Sequence, residues 1–322
     1  MTAVTVSVGA RLHFGFTNLS LAHERLYGSL GVALERPRVT VTARPAETVA
    51  CSYDPARPAV ARIVDLLDVP GASVSVEETL PRHVGLGSGT QTALATLSAV
   101  ARAYDRDPAV RERAPALDRG GRSGVGVATF ERGGFVLDGG HPTAAFTPTR
   151  PDRGEWSVPP ITSQRSIPDH WRFLLVIPDV SPGTSGDAED TSMRATVERA
   201  DPGIADRIAG VVVRRVLPAL ADGDATGFGA AVDEVGRLNG EWYADEQGGV
   251  YRASIGAVVR ALRDADAVAG AGQSSWGPTV YGVTTAAEAG AARRAGQRAL
   301  DAAGVDGRVS VVRPRNAGAT VE

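Results

Sequence analysis

The segment from Pro81 to Gln91 constrains the fold most, because it runs a glycine-rich turn directly into an apolar helix. Glycines let a backbone approach a ligand closely, and the first turn of a helix presents N–H groups that lack intrahelical partners. The helix dipole adds partial positive charge at the same end. The sequence therefore predicts a phosphate site formed by seven residues: Gly85, Leu86, Gly87, Ser88, Gly89, Thr90 and Gln91.

The glycine pattern alone leaves alternatives open. A tight turn packed on a strand would have the same residues, and the third glycine comes one residue too early for the dinucleotide-binding fingerprint. All 34 basic residues are arginine. The absence of lysine excludes the Walker A motif as well as Schiff-base and lysine-base mechanisms.

Composition narrows the class of protein. A chain of 322 residues with 43% hydrophobic content can bury the cores of two domains. A net charge of −3 excludes the basic surface of a nucleic-acid-binding protein and a polybasic membrane patch. Cys51 is the only cysteine, so internal disulfides and a cysteine-based zinc site are excluded. With no 18-residue apolar stretch and no export signal, we expect no membrane contact and a cytoplasmic location.

Hydrophobic periodicity predicts an α+β fold with mixed strands and helices rather than a regular βαβ repeat. Five prolines and little periodicity suggest that residues 147–170 connect two domains, at 1–155 and 170–322, and residues 178–190 are predicted as a polar loop. Pro37 is expected to separate two strands. Strands are predicted at 2–8, 30–34, 38–43, 74–76, 134–137, 171–177, 267–271, 279–283 and 308–312, and helices at 59–67, 90–104, 203–220, 225–240, 250–264 and 285–303.

Three further segments, at 11–33, 122–140 and 272–281, stand in an order and spacing that resemble the GHMP superfamily of small-molecule kinases. The resemblance covers nearly the whole chain. It implies an N-terminal domain with a left-handed βαβ type of phosphate loop and a ferredoxin-like C-terminal domain. The kinases usually carry Ser-Gly-x-Asp in the middle motif, whereas this chain has Ser123-Gly-Val-Gly126. Glycine has no carboxylate to activate a hydroxyl, which argues against ordinary phosphoryl transfer.

A narrower resemblance accounts for this departure. Arg-Leu-His-Phe-Gly-Phe at 11–16, Arg-Ser-Gly-Val-Gly at 122–126, Gly-Gly-Phe-Val-Leu-Asp-Gly-Gly at 133–140 and Pro-Gly-Thr-Ser-Gly at 182–186 resemble the family of β-ribofuranosylaminobenzene 5′-phosphate synthases. That family condenses phosphoribosyl pyrophosphate with a 4-hydroxy- or 4-aminobenzoate and releases pyrophosphate and CO₂. The resemblance implies a pentosyltransferase of archaeal methanopterin biosynthesis and a homodimer. The pyrophosphate leaving group predicts a requirement for Mg²⁺.

The chemistry of that reaction assigns roles to the motif residues. Loss of pyrophosphate needs anion stabilisation, an aromatic acid can be held by paired arginine hydrogen bonds, and Mg²⁺ needs carboxylates. The predicted catalytic residues are Arg11, His13, Arg122 and Asp138. The predicted substrate-binding residues are Ser123, Gly124, Gly126, Ser185, Ser274, Ser275 and Gly277, and the predicted metal ligands are Asp138, Asp187 and Glu189.

Each role has a plainer alternative. The arginines can be structural ion-pair partners, His13 can satisfy a core hydrogen bond, and Asp138 can be a turn residue. The other histidines show no metal-ligand spacing and are expected on the surface or in loops: His23, His83, His141 and His170. For the whole protein, the alternatives are an ATP-dependent GHMP kinase with a displaced carboxylate such as Asp138, and a non-catalytic binding protein on the same scaffold.

Overall fold

A computed structural model describes residues 3–147, 149, 151–181 and 187–322, with the side chains of residues 187–190 outside the description. The mixed α+β fold expected from the sequence is confirmed, with one large sheet and one four-stranded sheet. The strands are β1 (Val4–Asn18), β2 (Arg25–Pro45), β3 (Val49–Cys51), β4 (Ala72–Glu78), β5 (Phe135–Asp138), β6 (His141–Pro142), β7 (Ile161–Arg165), β8 (Trp171–Pro178), β9 (Gly270–Gln273), β10 (Val280–Thr285), β11 (Gly307–Val312) and β12 (Thr320–Val321).

The helices that cover these sheets agree closely with the predicted helical spans. Residues 202–222 form one continuous helical run, because a π-helical segment at Val212–Val216 joins two α-helices. The α-helices are α1 (Arg57–Leu67), α2 (Ser88–Ala103), α3 (Val110–Arg113), α4 (Val125–Arg132), α5 (Asp187–Arg199), α6 (Pro202–Val211), α7 (Leu217–Asp222), α8 (Ala225–Trp242), α9 (Ala244–Gln247), α10 (Ala253–Arg263) and α11 (Ala289–Ala303). Among the described residues, none of these helices is long and apolar enough to span a membrane.

Strand β2 corrects the prediction that Pro37 separates two strands. Gly9 of β1 pairs with Arg38 and Arg11 pairs with Ala33, so the four residues 34–37 leave the β1 ladder without ending β2. Proline has no N–H to donate to a ladder, which explains why pairing with β1 is lost there. Leu34 instead bridges to Pro314.

Two further segments differ from the sequence-based expectation. Residues 147–170 were expected only to connect domains, but β7 lies within them and pairs antiparallel with β5 of the large sheet. Residues 187–190, expected in a polar loop, form the first turn of α5. Both differences arise because strand pairing and helix packing depend on distant residues, which local composition does not report. No comparison tests the domain limits at 155 and 170, and they stay a prediction.

The C-terminal sheet confirms the ferredoxin-like expectation. Its strand order is β11-β8-β10-β9, and each neighbouring pair is antiparallel. Helices lie between β8 and β9 and between β10 and β11, which is the β-α-β-β-α-β order of that motif. Apolar residues of α10 and α11 pack with Leu174 and Val176 of β8 in one core cluster.

The two halves of the chain share a core around β1. The Phe14 ring lies 4.9 Å from that of Tyr281 and 5.9 Å from that of Phe228, measured between centroids. The Asn239 side chain of α8 accepts a hydrogen bond from the Phe16 N–H at 2.7 Å and donates to its carbonyl at 2.9 Å. Aromatic packing and a paired backbone contact therefore fix β1 against α8 and the smaller sheet.

Helix α2 is buried along most of its length, with every residue from Ala93 to Ala101 in the interior. Its two ends reach the surface, at Gly89 in the first turn and at Arg102 in the last. The preceding turn has Gly85 at φ +91° and Gly87 at φ +80°, a region that favours glycine. A Cβ at Gly85 would lie 2.1 Å from the Ser274 carbonyl oxygen, so the turn also needs the close approach that glycine allows.

Gly85→Ala and Gly154→Ala separate backbone strain from close packing. Gly154 has nearly the same φ, +92°, but nothing lies within 4 Å of its Cβ position. We expect Gly154→Ala to lower the free energy of unfolding by about 1 kcal/mol and Gly85→Ala to lower it by about 3 kcal/mol or more. Urea unfolding at neutral pH measures both values. Equal losses for the two variants would contradict the close packing of Gly85 against Ser274.

Candidate active site

Two cavities meet at the N-terminal turn of α2. The first, of about 400 Å³, lies against β1, β2 and the loop at 118–123. The second, of about 340 Å³, follows the glycine-rich turn towards α1. Five residues line both: Arg11, Thr90, Arg119, Ser275 and Trp276. The arrangement suits one ligand, or two adjacent ligands, extending across the start of α2.

The predicted phosphate-binding segment divides into exposed and buried residues. Those that line the second cavity are Gly85, Gly87, Ser88, Gly89 and Thr90. The Leu86 side chain is 1% exposed and belongs to the core. Gln91 is fully buried, and its Nε2 donates to the Gly126 carbonyl at 3.0 Å. The side chains of Leu86 and Gln91 are therefore packing groups rather than phosphate ligands.

Three arginines concentrate positive charge at this position. Arg11 donates from Nη1 to the Gly85 carbonyl at 2.7 Å, and Arg122 lines the first cavity. The Arg119 guanidinium packs on the first turn of α2, because a Cβ at Gly89 would lie 3.2 Å from its Nη1. These cations add to the positive end of the helix dipole. Sequence reasoning missed Arg119, although it directly precedes the glycine-rich segment that contains Arg122.

His13 is a neutral group beside these arginines. Its side chain is 3% exposed, and its Nδ1 is buried without a hydrogen-bond partner. Burial, and then the charges of Arg11 and Arg122, lower the pKa of His13 to about 3. At neutral pH the ring therefore carries one N–H donor and one acceptor nitrogen in the cavity wall.

Asp138 occupies a different environment from the one expected for a metal ligand or catalytic acid. Its Oδ2 accepts from the Ser29 hydroxyl at 2.5 Å and from the Gly124 N–H at 2.8 Å, and its Oδ1 accepts from the Gly140 N–H at 2.9 Å. Burial raises the pKa of the carboxyl, while these hydrogen bonds act in the opposite direction. Asp138 is 2% exposed and lines neither cavity, so its contacts favour a structural role.

The middle motif lies beside this carboxylate. Ser123 lines the first cavity, and its hydroxyl lies 2.5 Å from that of Ser29. Gly124 is buried and supplies its N–H to Asp138, whereas Gly126 lines the first cavity. A Cβ at Gly126 would lie 3.1 Å from Thr90 Cγ2, which is closer than ordinary contact. The motif therefore brings a glycine to the cavity wall, where a side chain would need Thr90 to shift by a few tenths of an ångström.

The C-terminal motif locks the glycine-rich turn in place. The Ser274 hydroxyl donates to the Gly85 carbonyl at 2.8 Å and accepts from the His13 N–H at 3.1 Å. A Cβ at Gly277 would lie 2.0 Å from the Val84 carbonyl carbon, so this contact also requires glycine. Ser275 lines both cavities, whereas Ser274 is fully buried and positions the turn.

Three predicted site residues remain, and two of them, Asp187 and Glu189, were expected to bind Mg²⁺. Ser185 lies outside the described residues, as do the side chains of Asp187 and Glu189, which begin α5. Among the residues whose side chains are described, no group of three His, Cys, Asp or Glu side chains could hold a metal ion. The hydrogen-bonded Asp138 does not fit a metal site.

Aromatic side chains form one wall of the first cavity, which sequence reasoning did not find. We call His13, Phe16, Tyr27 and His141 the ring wall; the centroids of successive rings lie 5.0, 5.8 and 6.3 Å apart. His141 was expected at the surface or in a loop, but its Nε2 is buried, because β6 pairs with β2 and brings the ring against Tyr27. Trp156 and Phe146 also line the cavity, and the guanidinium of Arg194 lies 5.6 Å from the Phe146 ring centroid.

The low pKa of His13 predicts a measurable loss of stability in mild acid. In the unfolded chain His13 has a pKa near 6.5, so below that pH it takes up a proton that the folded state excludes. Its contribution is complete above pH 6.5 and is lost as the pH falls towards 3. Between pH 7 and pH 5 we expect the wild type to lose about 2 kcal/mol more unfolding free energy than His13→Gln. Urea unfolding at both pH values measures these losses, and an equal loss of unfolding free energy in the two proteins would contradict the prediction.

Comparisons with known proteins agree with the geometry. Residues 55–134 match the GHMP kinases N terminal domain and residues 216–302 match the GHMP kinases C terminal domain. The chain is 31% identical to a beta-ribofuranosylphenol 5'-phosphate synthase from Archaeoglobus fulgidus, over 97% of each chain. It is 28% identical to the protein of that name from Methanothermobacter thermautotrophicus, over 87% of this chain and 88% of the relative.

A solved structure shows the same fold at low identity. The Streptococcus pneumoniae phosphomevalonate kinase superposes with a TM-score of 0.68 at 14% identity, over 97% of this chain and 99% of that one. The family models and the full-length relative together show that the chain belongs to the GHMP kinase superfamily and, within it, to the family of the beta-ribofuranosylphenol 5'-phosphate synthases.

Proposed function

We propose that this protein is a decarboxylating pentosyltransferase that joins the ribose of phosphoribosyl pyrophosphate to the ring of a 4-hydroxy- or 4-aminobenzoate. The observation that carries the proposal is Gly126. It stands where superfamily kinases usually have a catalytic aspartate, it lines the first cavity, and Thr90 packs against its Cβ position. The site thus has three arginines at the start of α2 and no carboxylate at the kinase position.

The reaction balances without a strong base. The C1–O bond of the ribose breaks, and the leaving pyrophosphate takes its electron pair. The ring carbon that bears the carboxylate forms a bond to C1. The bond from that carbon to the carboxylate then breaks, CO₂ leaves, and the electron pair restores the aromatic ring. Catalysis therefore depends on holding the leaving anion and orienting the acid.

The residues around α2 suit those two tasks. Backbone N–H groups of the first turn and the hydroxyls of Ser88 and Thr90 can donate to the diphosphate, with Arg11 and Arg119 on either side. Arg122 can hold the carboxylate of the acid through paired hydrogen bonds. The neutral His13 adds one hydrogen-bond donor and one acceptor to the cavity wall and carries no charge of its own. The ring wall restricts water around the reactive ribosyl centre.

The relatives' names favour one acceptor. A ribofuranosylphenol is what remains when 4-hydroxybenzoate gains a riboside and loses CO₂, whereas 4-aminobenzoate would leave an aniline. We therefore propose 4-hydroxybenzoate as the preferred acceptor of this chain.

The proposal also includes Mg²⁺ as the cofactor, the cellular location, the oligomeric state and the pathway. Mg²⁺ would bind mainly to diphosphate oxygens, as it often does at phosphate sites, and would neutralise charge on the leaving group. No step above depends on a protein ligand for it. The family resemblance extends the proposal to a cytoplasmic homodimer that serves the biosynthesis of a methanopterin-type cofactor.

One observation favours a kinase as the second candidate. The cavity beside the glycine-rich turn is lined by Tyr53, Ala59 and Leu80, which could receive a nucleotide base. An ATP-dependent kinase would still need a carboxylate near the transferred phosphoryl group. Asp138, the candidate raised by the sequence, accepts hydrogen bonds from Ser29, Gly124 and Gly140 and lines neither cavity.

The decisive experiment supplies both sets of substrates. We expect purified protein with Mg²⁺, phosphoribosyl pyrophosphate and 4-hydroxybenzoate to release CO₂ and pyrophosphate in equal amounts and to form a C-riboside detected by mass spectrometry. Phosphoribosyl pyrophosphate should also raise the melting temperature more than ATP does. ATP consumption that depends on a small alcohol, with no C-riboside, would overturn the proposal in favour of the kinase.

Arginine variants test the division of the site. We expect Arg119→Ala to weaken inhibition by pyrophosphate about tenfold or more, since it removes a cation from the start of α2. Arg122→Ala should instead raise the KM for 4-hydroxybenzoate by a similar factor. Arg293→Ala, on the exposed face of α11, is the matched control and should change neither value. Arg119→Ala with unchanged pyrophosphate inhibition would contradict this assignment.

A further inference from the structure

We propose that the ring wall is the subsite for the aromatic acceptor, and that His141 Nε2 selects acceptors with a hydrogen-bond donor opposite their carboxylate. The inference rests on the proposed function and names the residue that chooses among its substrates.

The ring wall has the shape and chemistry that a flat aromatic ligand needs. Phe16 and Tyr27 are 8% and 9% exposed, so their rings are held by packing while still lining the cavity. Tyr27 pairs with Asn18 of β1, and the neighbouring Leu26 pairs with His141 of β6. Because strand pairing fixes the rings in a row, an aromatic ligand can make stacked or edge-to-face contacts along them.

His141 offers an acceptor that the described residues leave unused. Its Nε2 is buried and makes no hydrogen bond. The backbone of Gly121 acts to raise the pKa of the ring, as a carbonyl that accepts from a ring N–H does. Because Nε2 has no partner, we assign the ring proton of the neutral imidazole to Nδ1. Burial, and then the charge of Arg25, lower the pKa of His141, which favours the neutral ring; with its proton on Nδ1, Nε2 is an acceptor. A buried acceptor without a partner is costly, and a ligand O–H or N–H would satisfy it.

The proposed reaction sets the direction of the acceptor in the cavity. Its carboxylate-bearing carbon must meet the ribose near Arg122 and the start of α2. The substituent at the opposite ring position then points along the ring wall, towards His141. A hydroxyl that donates to Nε2 gains electron density on its oxygen and passes it to the ring carbon opposite, which is the carbon that forms the new bond.

One loop sets both ends of this subsite. Gly121 and His141 line the same cavity, and the residue after Gly121 is Arg122, which we propose binds the carboxylate. The indole N–H of Trp156 donates to the Arg119 carbonyl at 2.9 Å, and the Cβ position of Gly121 lies 3.2 Å from the same indole ring. The packing of Trp156 thus fixes the loop and with it the distance between the two groups that hold the acceptor.

The test compares two ligands of nearly equal size, 4-hydroxybenzoate and 4-fluorobenzoate, of which only the first can donate. Calorimetry with pyrophosphate present measures the two dissociation constants without turnover. We expect the wild type to bind 4-hydroxybenzoate about tenfold more tightly than 4-fluorobenzoate. The ratio of the two dissociation constants should fall to about one in His141→Phe. It should be retained in His141→Gln, whose amide oxygen can accept a hydrogen bond. His170→Phe changes an exposed histidine outside both cavities and should retain the wild-type ratio.

Three results would overturn the inference: equal binding of the two ligands by the wild type, an unchanged ratio in His141→Phe, or no binding of 4-hydroxybenzoate. The ligand comparison needs only the wild type, so it holds even if a variant fails to fold. The proposed function and this inference can fail separately. If the ratio of dissociation constants depends on His141 but no C-riboside forms, the subsite exists and the proposed reaction is wrong. If the C-riboside forms but the ratio does not depend on His141, the reaction occurs and this subsite is wrong.

Discussion

The carbonyl oxygen of Gly85 joins three distant parts of the chain. It accepts hydrogen bonds from the Arg11 guanidinium at 2.7 Å and the Ser274 hydroxyl at 2.8 Å. Ser274 in turn accepts from the His13 N–H, so β1, the glycine-rich turn and the hairpin of β9 and β10 share one small network. This network directs the start of α2 towards the cavities. The proposed anion site depends on it, since helix amides act on a ligand only when they face it.

Electrostatics then decide what the site can hold. Arg11 and Arg119 lie at the junction of the two cavities, next to the positive end of α2. The buried Asp138 accepts hydrogen bonds from Ser29, Gly124 and Gly140. His13 stays neutral because burial, and then the charges of Arg11 and Arg122, lower its pKa. Among the described residues, four arginines line the first cavity against two carboxylates, Asp118 and Glu155, and this excess of cationic groups suits departure of an anion. The same balance suits the pentosyl transfer that we propose for this scaffold.

Local patterns predicted the parts of the structure that local forces decide. The apolar spacing from Thr90 to Tyr104 predicted α2, and the glycines before it predicted a turn that lines a cavity. The passage of β2 through Pro37 and the addition of β7 to the large sheet depend on partners far along the chain. His141 was misplaced for the same reason, because only its pairing with β2 buries it. Arg119 carries no signal of its own in the sequence, since its importance comes from packing on Gly89.

The contact between Gly126 and Thr90 couples the middle motif to the start of α2. A Cβ at residue 126 would lie 3.1 Å from Thr90 Cγ2, so any side chain there needs Thr90 to shift by a few tenths of an ångström. Thr90 also lines both cavities. The effect of a substitution at residue 126 therefore depends on the side chain at residue 90, and a redesign of this cavity wall has to treat the two positions as one unit.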